Sequence, residues 1–118
     1  LTFSDRSGTY RVQDTELRIF LFNNKTVLLR QFNLTPENFD LLQKNVMKGR
    51  IDYKVDSIVR NAPLMISIND NNIGPFFPVE GWNSADFGSA QAQEGENDIR
   101  FSTVGGYQIS EIKVGLAA

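Results

Sequence analysis

Apolar and polar residues alternate along most of this chain, the period-2 pattern of strands with one buried face. In Leu17-Arg18-Ile19-Phe20-Leu21-Phe22, positions 17, 19 and 21 share a face. Asn23-Asn24 follows as a tight turn and Val27 to Leu34 as a returning strand, which predicts a hairpin. Arg50 to Val55 sets Ile51, Tyr53 and Val55 inward and three charges outward. Leu64, Ile66 and Ile68 form another inward set, ended by the turn-prone Asn69-Asp70-Asn71-Asn72. Ile99, Phe101 and Thr103 repeat the pattern. A last strand carries Ile112, Val114 and Leu116 inward and runs on from Tyr107, past Gly105-Gly106. About six or seven strands with short, irregular turn spacing predict an all-β fold, an antiparallel sandwich.

Two segments break the alternation. Thr35-Pro36-Glu37 supplies an N-cap, a proline at the first helical position and an acid in the first turn. Phe39, Leu42 and Val46 follow at helical spacing and Gly49 stands as the stop, so the pattern predicts one short α-helix over about Pro36–Met47, laid over an end of the sandwich. Between 75 and 95 the chain concentrates Phe76, Phe77 and Trp82 among prolines and glycines, and the stretch from Ser84 to Gly95 is small and polar. An aromatic loop of this kind either packs down as a plug or stays exposed for a ligand. The opening stretch, Leu1 to Asp14, reads as an edge strand or as an arm that adds to a neighbour's sheet.

Composition narrows the chemistry. At 118 residues, with 41% hydrophobic and 22% charged side chains, the chain reads as a single domain spanning 1–118 that needs no staple. It begins at Leu1 and has no charged-then-apolar leader, as expected of a processed product or a domain excised from a larger protein. The absence of His and Cys removes Ser-His-Asp and Cys-His triads, thiol redox chemistry and His or Cys zinc sites from this chain. A net charge of −2 argues against a nucleic-acid partner, and no apolar run approaches the roughly 20 residues of a membrane span. The locally basic middle, with Lys44, Lys48, Arg50, Lys54 and Arg60, alternates with Asp52 and Asp56 and lacks interleaved aromatics, so it reads as a solvated face. Glycosylation acceptor triplets at Asn24-Lys25-Thr26 and Asn33-Leu34-Thr35 lean toward an extracellular or cell-surface location.

The strongest candidate site gathers Trp82, Phe76, Phe77 and Tyr107 as apolar contacts and Asn83, Asp86 and Gln108 as hydrogen-bonding ones. A sugar ring presents C–H groups that stack on an aromatic face, and amides or carboxylates bind its hydroxyls. The same aromatics equally plug an open end of the sandwich or meet a protein partner. No cofactor is expected. Asp70-Asn71-Asn72, with Asp98 or Glu80, offers oxygens of the type calcium takes but lacks the spacing of a calcium loop. Glu94 and Glu96 flank Gly95; paired carboxylates hydrolyse glycosides at about 5 or 6.5–9.5 Å separation across a cleft, which a flexible loop does not build.

From Phe32 onward the order of pieces resembles the galactose-binding-like jelly rolls, a group rich in non-catalytic carbohydrate-binding modules. The pieces are Phe32-Asn33-Leu34-Thr35-Pro36-Glu37 before a short helix, then the strand Arg50 to Val55. Pro63 to Gly74 looks like that fold's strand, Asn-containing turn and glycine, and Gly81-Trp82-Asn83 carries its Gly-Trp. Gly95-Glu96-Asn97-Asp98-Ile99 is similar to its Gly-x-Asn-x-Ile, and Gly106 to Val114 to its closing strand. The resemblance implies an antiparallel β-sandwich of jelly-roll type with one short α-helix, working as a non-enzymatic, extracellular carbohydrate-binding module. It also implies a structural calcium, for which Glu16 and Glu111 hold comparable positions. The chain departs from the pattern in offering only Phe87 as a second aromatic after Gly-Trp. The alternative is a structural or assembly subunit of a surface layer, filament or virion, or a protein-interaction domain capable of self-assembly.

Overall fold

A computed structural model of the chain describes residues 9–22, as backbone, and residues 28–117 in full. Its elements run in the order β1 (Thr9–Phe22), β2 (Leu28–Leu34), α1 (Pro36–Gln43), β3 (Lys48–Arg60), β4 (Leu64–Ile68), β5 (Asn71–Asn72), β6 (Gly81–Phe87), β7 (Gly95–Thr103) and β8 (Gly106–Ala117). Two antiparallel four-stranded sheets result, ordered β1-β8-β3-β6 and β2-β7-β4-β5. The pairing is nested: β1 with β8, β2 with β7, β3 with β6, β4 with β5. Curling this long double ribbon then brings β3 beside β8 and β4 beside β7.

The alternating residues meet between the sheets as predicted. Ile51, Tyr53 and Val55 face Leu64, Ile66, Ile68, Ile99 and Phe101 in one buried cluster. Aromatic pairs join the layers, Tyr53 to Phe101 edge-on at 5.5 Å and Phe32 to Phe87 tilted at 5.6 Å. This is the all-β antiparallel sandwich with one short helix.

Three expectations are corrected. The hairpin from Leu17 to Leu34 does not form, because β1 and β2 pair with β8 and β7 in different sheets. Alternation marks which face a strand buries and leaves its partner open. The intervening Asn23-Asn24 turn and the Asn24 acceptor triplet lie outside the described residues, as does the stretch from Leu1 to Gly8.

Secondly, α1 starts as expected but stops at Gln43. Thr35 caps it, its Oγ1 accepting from the Asn38 N–H at 3.2 Å, with Pro36 in the first turn. At the other end Asn45 takes a left-handed φ of 57°. The Val46 N–H then reaches the Leu41 carbonyl and the Asn45 N–H that of Leu42, a Schellman closure. Leu42 stays buried while Val46, beyond the cap, is exposed. Gly49 lies inside β3, where its missing side chain makes room for the Phe87 ring.

Thirdly, the first part of the polar stretch after Trp82, as far as Phe87, is a strand. In β6 only Ala85 and Phe87 point inward, too few apolar residues to register as alternation.

The helix, the β4–β5 turn and the β6–β7 connection lie at one end of the sandwich. The β3–β4 loop, the β5–β6 connection and the β7–β8 turn lie at the other, as the registers Leu64↔Thr103 and Arg60↔Gly106 require. No helix among the described residues is long and apolar enough to cross a membrane.

Candidate binding surface

The second end carries Val59, Phe77, Val79 and Val104, four of the seven large apolar side chains exposed among the described residues. Phe76 exchanges both backbone hydrogen bonds with Leu64, at 2.8 and 2.9 Å, which turns its ring toward Gly74 and the core. The next residue is thereby thrown outward, and Phe77 stands 73% exposed. Pro78 is buried and Val79 exposed again. Phe77, Pro78 and Val79 form one wall of a groove of about 540 Å³ whose other wall is Asn61, Ala62 and Pro63. Val59 and Val104, each more than half exposed, stand at the same end.

Buried side chains hold the second wall. The Tyr107 hydroxyl accepts from the Ala62 N–H at 3.1 Å and donates to the Ala62 carbonyl. Thr103 Oγ1 donates to the Pro63 carbonyl at 2.8 Å and accepts from the Gly105 N–H at 3.0 Å. Gly105 packs so closely under Arg60 and Ala62 that a Cβ there would overlap the Arg60 carbonyl oxygen. The wall is set before any ligand arrives.

The seven residues expected to converge on a ligand are dispersed. Phe76 is a plug. Tyr107 is fully buried and works beneath the groove, not in it. Counting by twos from Ile112 puts Tyr107 on the outer face, but the registers of β8 with both β1 and β3 slip around Ser110. That irregularity turns Tyr107 and Ile109 inward along with Ile112, Val114 and Leu116. Asn83 spends its amide on its own loop, donating to the Val79 carbonyl at 2.8 Å and the Gly81 carbonyl at 3.2 Å and accepting from the Val79 N–H at 3.0 Å. Asp86 lies on the outer face of β6, about 13 Å along the strand from Trp82. It pairs with Lys48 at 3.0 Å, and Arg50 Nε lies 3.8 Å away. Gln108 Oε1 accepts from Ser57 at 3.4 Å. Trp82 is 46% exposed beside Lys54, and the Lys113 ammonium sits 5.0 Å from its ring centre.

The calcium candidates divide between the sheets. Asp70 sits at the tip of the two-residue β4–β5 turn, where Asn69 and Asp70 have φ of 51° and 68°, and Arg100 lies 3.9 Å from its carboxylate. Glu111 is in register with Glu16 of β1, whose side chain lies outside the described residues. Calcium takes six to eight oxygens, and among the described residues no group of three carboxylates comes together. Glu96 accepts from Gln31 at 3.3 Å on the exposed face of β7, in a hydrogen bond that Gln31 shares with Asp98.

No protein-family model and no curated protein matches this sequence.

Alternation did not point to Ala62, Pro63, Val79 and Val104, because loop residues outside a strand have no face to assign, nor to Val59, which lies where the register of β3 with β8 slips. A sequence signal did exist for the loop supports. Glu-Gly-x-Asn occurs twice, at 80–83 and 94–97, each time as the chain begins a strand.

Proposed function

We propose that this chain is a non-catalytic binding module that docks a protein surface through the apolar end of its sandwich. One observation carries the reading. Phe77 and Val79 are exposed on an open groove whose lining has no charged side chain, and Val59 and Val104 are exposed at the same end of the sandwich. Keeping such side chains exposed forgoes burial free energy, and an apolar groove flanked by exposed apolar side chains is a feature of interaction sites. The nested strand pairing supports the jelly-roll reading, in which loops at the ends of the sandwich vary freely on a fixed frame. An extracellular or cell-surface location belongs to the same proposal; Asn33 of the second acceptor triplet is exposed on β2.

Carbohydrate binding is the second reading, and the half-exposed Trp82 favours it. The Lys113 ammonium already lies over that ring, and the amide of Asn83 and the carboxylate of Asp86 are already engaged.

Self-assembly through the groove is tested by sedimentation velocity over a range of concentrations. The wild type is expected to associate, and Phe77→Asp to weaken association at least tenfold. Because Phe77 is mostly exposed, that substitution should alter stability by no more than about 0.5 kcal/mol. A wild type that remains monomeric, together with glycan-array binding lost in Trp82→Ala and kept in Phe77→Asp, moves the site to β6 and overturns the protein reading.

A further inference from the structure

The two Glu-Gly-x-Asn segments fold into the same hydrogen-bonded clamp. In the second, Asn97 donates to the carbonyls of Gln93 at 2.9 Å and Gly95 at 3.0 Å and accepts from the Gln93 N–H at 2.8 Å. In the first, Asn83 makes the same three bonds to Val79 and Gly81. In each, the amide bonds both backbone groups of the residue four positions back and the carbonyl of the residue two back. Both glycines hold positive φ, 99° at Gly81 and 89° at Gly95. A Cβ at either meets nothing within 4 Å, so glycine is required there for its backbone conformation and not for space.

Their surroundings differ. Asn97 is fully buried, and its Oδ1 takes a further bond from Asn69 Nδ2 at 2.9 Å, while Asn69 also exchanges bonds with the Asp98 backbone. That clamp welds the β4–β5 turn to β7. The Asn83 clamp is partly exposed, and among the described residues its amide oxygen bonds only the Val79 N–H. What it secures is Val79, in the groove wall that also carries Phe77.

We propose that Asn83 is the positioning residue of that wall: its amide fixes Val79, and through it Phe77 and Pro78, in the geometry that keeps the groove open. The inference rests on reading the groove as a binding surface. Binding at a preset wall avoids the ordering entropy that a free aromatic loop would lose on docking.

The test uses the full chain with 4-fluorophenylalanine at position 77, comparing Asn83→Ala, Gly81→Ala and Asn97→Ala. Asn83→Ala is expected to speed amide exchange at Val79 at least tenfold, and to shift or broaden the position-77 fluorine resonance. The Asp98 amide, held by Asn69, should keep its protection. Gly81→Ala, strained in its backbone but free of clashes, should act in the same direction if Asn83→Ala fails to fold. Asn97→Ala should lower global stability and leave the native fluorine resonance in place. Unchanged Val79 exchange and an unchanged resonance in Asn83→Ala overturn the positioning role. A clamp that opens as described in a protein whose association is indifferent to both Asn83→Ala and Phe77→Asp upholds the clamp and overturns the binding reading.

Discussion

Tyr53 is buried between the sheets, its ring edge against Phe101. Burial, with a smaller contribution from Tyr107, pushes its phenol up from 10.0 to about 12. Above pH 10 the unfolded chain therefore gives up a proton that the folded chain keeps. The contribution to stability is whole below pH 10 and is lost as pH rises through about 12, on the order of 2 kcal/mol in all. Urea denaturation between pH 9 and 12 should show a steeper loss in the wild type than in Tyr53→Phe, and equal slopes would refute the assignment. Position 53 was legible as a core residue because its neighbours alternate without interruption. Position 107 was not, since one slipped residue near Ser110 reverses the face of everything before it. Asn97 shows the same limit from another side. Nothing in the alternation marks this polar residue as buried, whereas four hydrogen bonds to its side chain let it sit in the core.

Among the elements, α1 and β3 show how local signals compete. The start of α1 was plain because capping by Thr35 and Pro36 is a property of a few consecutive residues. Its end was hidden because Asn45 marks a left-handed cap more weakly than a glycine, and Gly49 drew the boundary too late. The glycine has a different task. It admits the Phe87 ring across β3 and β6, and Gly49→Ala should cost about 1–3 kcal/mol by overpacking. Equilibrium denaturation of Gly49→Ala and of Gly49→Ala with Phe87→Leu measures this, the smaller side chain being expected to recover part of the loss. A fully additive pair would show that the ring is not what Gly49 accommodates. β6 escaped notice for a related reason: an edge strand that buries two side chains leaves little pattern to read, and its outer residues, Trp82, Ser84 and Asp86, looked like loop.

At the scale of the whole sandwich, β1 lies antiparallel along β8, with Thr9 opposite Ala117 and Phe22 opposite Gly106. Pairing residues so distant in sequence has a large loop-closure cost before any contact compensates for it, so folding should be slow for the chain's size, with relaxation in roughly milliseconds to seconds. Stopped-flow refolding checks this; a microsecond phase carrying the full amplitude would contradict the nested order. Alternation along the chain determined by itself that the protein is built from strands and which side chains of β3, β4 and β7 face inward, and the Thr35-Pro36 cap determined where the helix begins, because each of these depends on residues within a few positions of one another. Its lack of His and Cys likewise removed imidazole and thiol chemistry from the chain. Only the tertiary structure decided the partners of β1 and β2, the burial of Tyr107 and the meeting of Ala62 and Pro63 with Phe77, Pro78 and Val79 across a groove. These depend on register and on the approach of distant loops, quantities that a period of two cannot encode.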